Sequence, residues 1–158
     1  NSIRAEPTLI TCCTIFGNES PNDNSPGGLR TDGNVILRGS IVYSNTNKNG
    51  VGTQIDTTYI VDACCIQDTA GNTGIYKKDN SNNWYGNNTD RDPEFYSVSL
   101  YEDDGRWFDR SENELSFMPQ SIHLRGRANF LPSQGKPNAD LRNEGRPSTF
   151  DIGCYEMP

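Results

Sequence analysis

The sequence is poor in the residues that build helices and in those that fill a large apolar core. Alanine occurs five times and leucine eight times in 158 residues, and 32% of the chain is hydrophobic. Leu, Ile, Val and Phe number 30, about 19%, close to the level at which chains stop burying enough surface to fold. So few strong helix formers argue against a helical protein. There is one histidine, so no Ser/His/Asp set can be argued for His123, which alternation turns away from Ile122 and Leu124. No apolar run approaches the roughly 18 residues of a membrane span, and no signal-type hydrophobic region is visible. The chain starts at Asn1 without Met and reads as a mature product or an excised piece, any export signal lying upstream. A pI near 4.6 with scattered Lys and Arg leaves no basic stripe, which excludes nucleic acid as an expected partner.

Asn, Asp and Gly are abundant instead, 46 residues in all, the composition of short strands joined by many turns. A net charge of −7 is modest, and real apolar runs exist, so an ordered all-β chain is expected. The five cysteines, Cys12, Cys13, Cys64, Cys65 and Cys154, cannot all pair within one chain. Adjacent cysteines on a strand point to opposite faces, which does not suit a zinc site, and small buried thiols are the simpler expectation. The triplets Asn18-Glu19-Ser20 and Asn87-Asn88-Thr89 are glycosylation sequons, of a number close to chance in so Asn-rich a chain.

Three segments align without gaps: Cys13 to Asn18, Ser40 to Asn45, and Cys64 to Asp68, their first residues 27 and then 24 apart. A β-rich run precedes each, at Thr8 to Thr11, Asn34 to Leu37 and Thr58 to Val61. A period in the mid-twenties suits one coil of a parallel β-helix. Alternation places Cys13 and Ile15, Ser40 and Val42, and Cys64 and Ile66 inward, with Ile15, Val42 and Ile66 in one column. Cys13 and Cys64 then lie two coils apart, beyond disulfide reach. Asn18 over Asn45 reads as the start of an asparagine ladder. After Thr69 the pattern degrades. Residues 79–88 read as a loop, and 96–120 as an excursion with a hairpin at Asp104-Gly105. Ser121 to Arg125 alternates again with Ile122 and Leu124 inward, and Phe150 to Tyr155 reads as a closing strand. The expected organisation is coils over 1–75, a loop-rich excursion over 76–120, and a terminal coil with C-terminal cap over 121–158, all one domain.

Asp92-Pro93-Glu94-Phe95 follows the repeats, then Ile122-His123-Leu124, and Gly145-Arg146-Pro147 leads into Asp151-Ile152-Gly153-Cys154-Tyr155-Glu156. In this order the pieces resemble the C-terminal end of secreted right-handed parallel β-helix proteins with a choice-of-anchor Q type domain, of the pectate-lyase-like solenoid kind. That family usually has Ala where Cys154 stands, and little where Tyr96 to Gln120 is inserted here. The resemblance implies the last coils and cap of a longer extracellular or cell-surface protein, and fixes no activity.

The expected function is therefore a non-catalytic structural or glycan-binding terminal section. Trp84, Tyr85, Trp107 and Phe108 are the candidates for stacking on sugar rings. The alternative is the C-terminal part of a polysaccharide lyase or another polysaccharide-degrading enzyme. Arg30, Asp32, Arg38 and Lys77-Lys78-Asp79 are the cations and acids such chemistry could draw on, although each reads more simply as a solvated turn or outward face. No metal site and no cofactor are expected beyond incidental calcium on Glu102-Asp103-Asp104, which lacks EF-hand spacing. The first coil leaves backbone groups and an apolar column uncovered at its N-terminal side. An upstream β-helix fragment or another subunit is the expected cover, with residues 1–7 folding back as the alternative.

Overall fold

The structure is a computed structural model that describes residues 6–30, 35–49, 54–56, 60–67, 88–95, 119–129, 136–140, 143 and 145–154. Among the described residues it is all-β, with no α-helix. The strands are β1 (Thr8–Thr11), β2 (Thr14–Phe16), β3 (Glu19–Ser20), β4 (Leu29–Arg30), β5 (Val35–Arg38), β6 (Ile41–Tyr43), β7 (Thr46–Asn47), β8 (Ile55–Asp56), β9 (Ile60–Asp62) and β10 (Cys65–Ile66). The longer ones are the Thr, Ile and Val runs, whose branched side chains fit a pleated surface. They form four small, separate sheets, ordered β1-β5-β9, β10-β6-β2, β3-β7 and β4-β8, and every pairing within them is parallel.

The register follows the sequence repeat. Thr8 pairs with Val35, Thr14 with Ile41 and Glu19 with Thr46, each 27 residues on. Leu29 pairs with Ile55, 26 on, while Ile36 pairs with Ile60 and Ile41 with Cys65, 24 on. Ile15, Val42 and Ile66 therefore stand in register, as their spacing and alternation suggest. The ladder extends one step past the aligned segments. Thr89 bridges Cys65 in parallel, and its N–H donates to the carbonyl of Cys64 at 2.8 Å. The Asn88 carboxamide accepts from Cys64 N–H at 2.8 Å and donates to the carbonyl of Val61 at 3.0 Å. Asn88 thus closes the end of a composition-defined loop and opens a fourth in-register segment.

Sharp corners separate these sheets. Cys12, Gly39 and Ala63 follow the paired residues Thr11, Arg38 and Asp62, and all three are left-handed, with φ of 51°, 56° and 50°. Gly17 and Ser44 form a second corner at φ of 67° and 54°. Left-handed backbone costs a non-glycine residue roughly 1–2 kcal/mol. The corners are held by neighbouring repeats: Cys12 N–H donates to the carbonyl of Arg38 at 2.9 Å and Gly39 N–H to that of Asp62 at 3.1 Å. Ser44 N–H donates to Oε1 of Gln67 at 2.7 Å. After the second corner, Asn18 donates through both its N–H and its amide to Oδ1 of Asn45, at 3.0 and 2.9 Å, forming the expected asparagine pair. Asn45 donates in turn to the carbonyl of Ile15 and to Gln54 Oε1.

Two apolar clusters occupy opposite faces of the β10-β6-β2 sheet. The first gathers Leu37, Val42, Ile55, Val61, Cys64 and Ile66, with Ile10, Ile15 and Leu29 partly buried at its margin. The second gathers Cys12, Ile41, Ala63 and Cys65 with Leu124, Ala128, Phe150 and Ile152. The composition suggests only one thin apolar column. The second cluster exists because Ile41-Val42 and Cys64-Cys65-Ile66 are consecutive apolar runs, the mark of a strand buried on both sides.

The described C-terminal residues cover that second face, and among them no further strand forms there. Residues 122–124 form a 3-10 helix in which Leu124 is buried, while Ile122 is 74% exposed. This corrects the inward placement of Ile122: in a tight helical turn, i and i+2 do not share a face. Phe150 makes an antiparallel bridge with Ala128, and residues 152–154 are bends where the Phe150 to Tyr155 strand is expected, Tyr155 itself lying outside the described residues. The proposed hairpin at Asp104-Gly105 lies outside the described residues.

Candidate functional site

The five thiols are the most nucleophilic side chains of the chain. All five are free. Cys13 and Cys64 are unbridged, as their separation implies, though Cys13 is only half-buried. Burial pushes the Cys64 thiol up to about 12 and raises Cys65, Cys154 and Cys13 as well. A thiol held protonated is a poor nucleophile and metal ligand. The Cys64 Sγ donates to the carbonyl of Asp62 at 3.2 Å and that of Cys65 to Arg91 at 3.1 Å. These cysteines behave as small apolar residues with a weak donor.

The segment 145–154 is a strap locked by Arg146. Its guanidinium is buried and donates to the carbonyls of Asp151 at 3.3 Å and Gly153 at 2.9 Å. It also lies 5.2 Å from the Phe150 ring centroid, which Lys136 approaches to 5.4 Å. Gly153 N–H donates to the carbonyl of Gly39 at 2.7 Å. A Cβ on Gly153 would sit 2.8 Å from Ile41 Cδ1, and its φ of 109° is disfavoured for any side chain. Thr14 Oγ1 and Cys154 Sγ are 3.3 Å apart. The motif residues from Gly145 to Cys154 therefore hold a lid over the sheet.

Beyond the strap, the same face continues as a partly open margin. Phe16 pairs in register with Tyr43, and Phe95 meets Phe16 edge-to-face with centroids 4.9 Å apart. The Tyr43 hydroxyl is pushed up to about 12 by burial, helped by the Asp92 and Asp90 carboxylates, so it remains a neutral donor. Segment 93–95 lies against 119–121: Phe95 bridges Pro119, and Ser121 N–H donates to the carbonyl of Pro93 at 3.2 Å. This contact brings Arg91 to His123. Arg91 Nη1 is 3.0 Å from His123 Nδ1 and also contacts Nε2. Arg127 Nη1 donates to the carbonyl of His123 at 3.3 Å.

The residues singled out from sequence fare unevenly. Trp84, Tyr85, Trp107 and Phe108 lie outside the described residues, as do Asp32, Lys77-Lys78-Asp79 and Glu102-Asp103-Asp104. Arg30 is exposed and donates to Ser25 Oγ at 3.0 Å. Arg38 pairs with Asp62 at 3.4 Å, in the register that joins β5 to β9. His123 is exposed, as alternation suggested, but on a 3-10 turn. The amide of Asn18 is engaged by Asn45, which ties up that sequon. Among the described residues no group of three or more His, Cys, Asp or Glu side chains is placed to hold a metal ion. None of their helices is long and apolar enough to cross a membrane. The Phe16, Tyr43 and Phe95 margin and the Arg91, His123 and Arg127 cluster escaped sequence reading, since their members are scattered over more than a hundred positions. No protein-family model, curated protein or solved structure matches this chain.

Proposed function

We propose that the chain is a non-catalytic structural or glycan-binding terminal section of an extracellular or cell-surface protein, built as the last coils of a right-handed parallel β-helix with a C-terminal cap. The observation that carries this reading is the doubled register: β1, β5 and β9 pair in parallel, and one left-handed corner later β2, β6 and β10 pair with the same offsets. Such stacking is what a β-helix does with each turn of chain. The in-register Asn18 and Asn45 and the covering strap support it further. The resemblance of the Asp-Ile-Gly-Cys-Tyr-Glu end supports the extracellular setting.

The first repeat bears on the partner. Ile10, Ile15 and Leu29 are only half-buried and Leu9 is 42% exposed, whereas Leu37, Val42 and Ile55 one repeat on are fully buried. A further β-helix turn, from an upstream fragment or another subunit, covers the β1 side in this reading.

Duplicating residues 14–40 tests the architecture, because it inserts one whole repeat in phase. The lengthened chain should unfold cooperatively with a higher urea midpoint, as added repeats contribute interface energy. A 20-residue duplication from the same start should abolish cooperative unfolding. Equal behaviour of the two would overturn the reading. Sedimentation velocity of the parent chain should show association at micromolar concentration, and a folded monomer would remove the partner from it.

A further inference from the structure

We propose that two copies of this chain associate head to head through the first repeat, β1 of each pairing antiparallel with β2 of the other about a two-fold axis at the Cys12-Cys13 corner. The inference rests on the stacked-coil reading above and names the partner that covers its uncovered side.

Among the described residues the first apolar cluster is open at one end. On the β1 side Leu9 is 42% exposed and Ile10, Ile15 and Leu29 are half-buried, whereas on the far side Val61 and Ile66 are 5% and 1% exposed. A copy therefore has no second open end to offer, which leaves a closed pair related by a two-fold axis in place of head-to-tail stacking. The first repeat runs 27 residues before its register recurs, and a stable interface takes roughly 20–30 residues a side. No charged side chain occurs from Pro7 to Asn18, where an edge guarded against association carries Lys or another charge. On a chain of −7, such a neutral strip is matched in charge by the same strip of a second copy.

The backbone sets the register. Cys12 N–H donates to the carbonyl of Arg38, Ile41 N–H to that of Cys13, and Gly17 N–H to that of Tyr43. Alternate residues of a parallel strand bond the same neighbour. Ile10 and Cys12 thus bond toward β5, and Cys13, Ile15 and Gly17 toward β6, so the corner shifts the phase by one residue. Leu9, Thr11, Thr14 and Phe16 turn their backbone groups the other way, to the β1 side. Laid antiparallel about the corner, Thr11 of each copy stands opposite Thr14 of the other, and Leu9 opposite Phe16. Both are pairs of residues turned toward the partner, the kind that exchanges two hydrogen bonds in an antiparallel ladder. Ile10 opposite Ile15 falls between them.

The side chains agree with the same register. Ile10 and Ile15 both border the first apolar cluster, so they meet over the core and extend it across the axis. Leu9 and Phe16 lie on the opposite face, where Phe16 already packs on Phe95. A slip of one residue would set Leu9 against Ile15 and split the two faces. The match also ends at a natural stop. Pro7 has no N–H, and it stands opposite Asn18, whose N–H is given to Oδ1 of Asn45 at 3.0 Å.

Sedimentation equilibrium of the full chain, with hydrogen exchange read residue by residue, tests the proposal, and thermal unfolding is the folding control for each variant. A single monomer–dimer equilibrium at micromolar concentration is expected, tightening as salt screens the −7 of each copy. Amide exchange at Leu9 and Thr14 should slow together as concentration rises. Leu9→Lys sets a charge in the middle of the interface and should weaken the dimer about tenfold or more. Ile122→Lys makes the same change at the exposed 3-10 turn and should leave the dimer as it was. A dimer that Leu9→Lys leaves intact, or one that slows exchange at Leu9 but not at Thr14, overturns the two-fold register. Loosening with rising salt would show ion pairs at the interface and overturn the neutral match. Open-ended polymers would mean head-to-tail stacking and overturn the closed pair. A folded monomer overturns the inference outright, and the coil architecture is then judged by the duplicated chain alone.

Discussion

At the scale of single residues, polar side chains do much of the work that apolar volume does elsewhere. Asn45 is fully buried, and its carboxamide accepts twice from Asn18 and donates to Ile15 and Gln54, spanning two repeats. Asn45→Ala removes these bonds and strands the carbonyl of Ile15, so it should lower stability by about 2–4 kcal/mol, read from the urea midpoint. Asn45→Asp should do no better, since a carboxylate cannot donate to Ile15 or Gln54. A loss under about 0.5 kcal/mol would mean that water replaces the amide. The asparagine pairing was legible in the sequence because both residues end aligned segments. The corner residues were not. Nothing in the local chemistry of Cys12, Ser44 or Ala63 asks for positive φ; the demand comes from stacking on Gly39 and Gly17 in neighbouring repeats.

At the scale of elements, β1, β2, β5, β6, β9 and β10 could be read from β-branched runs 27 and 24 residues apart, and their parallel pairing follows that reading. Two-residue strands such as β3, β4, β7 and β8 carry too little sequence for periodicity to register. The C-terminal lid misled for another reason. Ser-Ile-His-Leu-Arg alternates as a strand does, yet Pro93 and Ile152 draw it into a 3-10 turn. The lid should be sensitive at its closest contact. Gly153→Ala adds a Cβ against Ile41 and a side chain at φ of 109°, and should cost roughly 1–3 kcal/mol. Labelling of Cys154 by a maleimide should accelerate with it. An unchanged labelling rate would show that the lid is held by Arg146 alone.

At the scale of the whole molecule, the buried thiols and Tyr43 set the alkaline limit. The folded state holds Cys64 protonated up to about 12, against an ordinary value of 9.0. The raised groups therefore contribute stability that is complete below about pH 9 and is lost as pH climbs toward 12, at up to about 1.4 kcal/mol per pH unit for each group. Urea midpoints should be level between pH 6 and 8 and fall steeply above 9. A flat profile to pH 11 would contradict the burial of these groups. The candidate site was illegible at this scale: Arg91 and His123 lie 32 residues apart in sequence, and only the docking of 119–121 on 93–95 joins them.

The change of register from 27 to 24 residues has a consequence for how such a chain can vary. The offset is constant at 27 through β1, β2 and β3, drops to 26 at β4, and reaches 24 by β5. All three missing residues are thus lost between β7 and β9, and none at the left-handed corners. One flank of the molecule is locked in length by its stacked backbone, and the other absorbs insertions and deletions without disturbing the stack. Lineages that elaborate this architecture should do so on the second flank, and a peptide tag or grafted loop belongs between β7 and β8 or between β8 and β9.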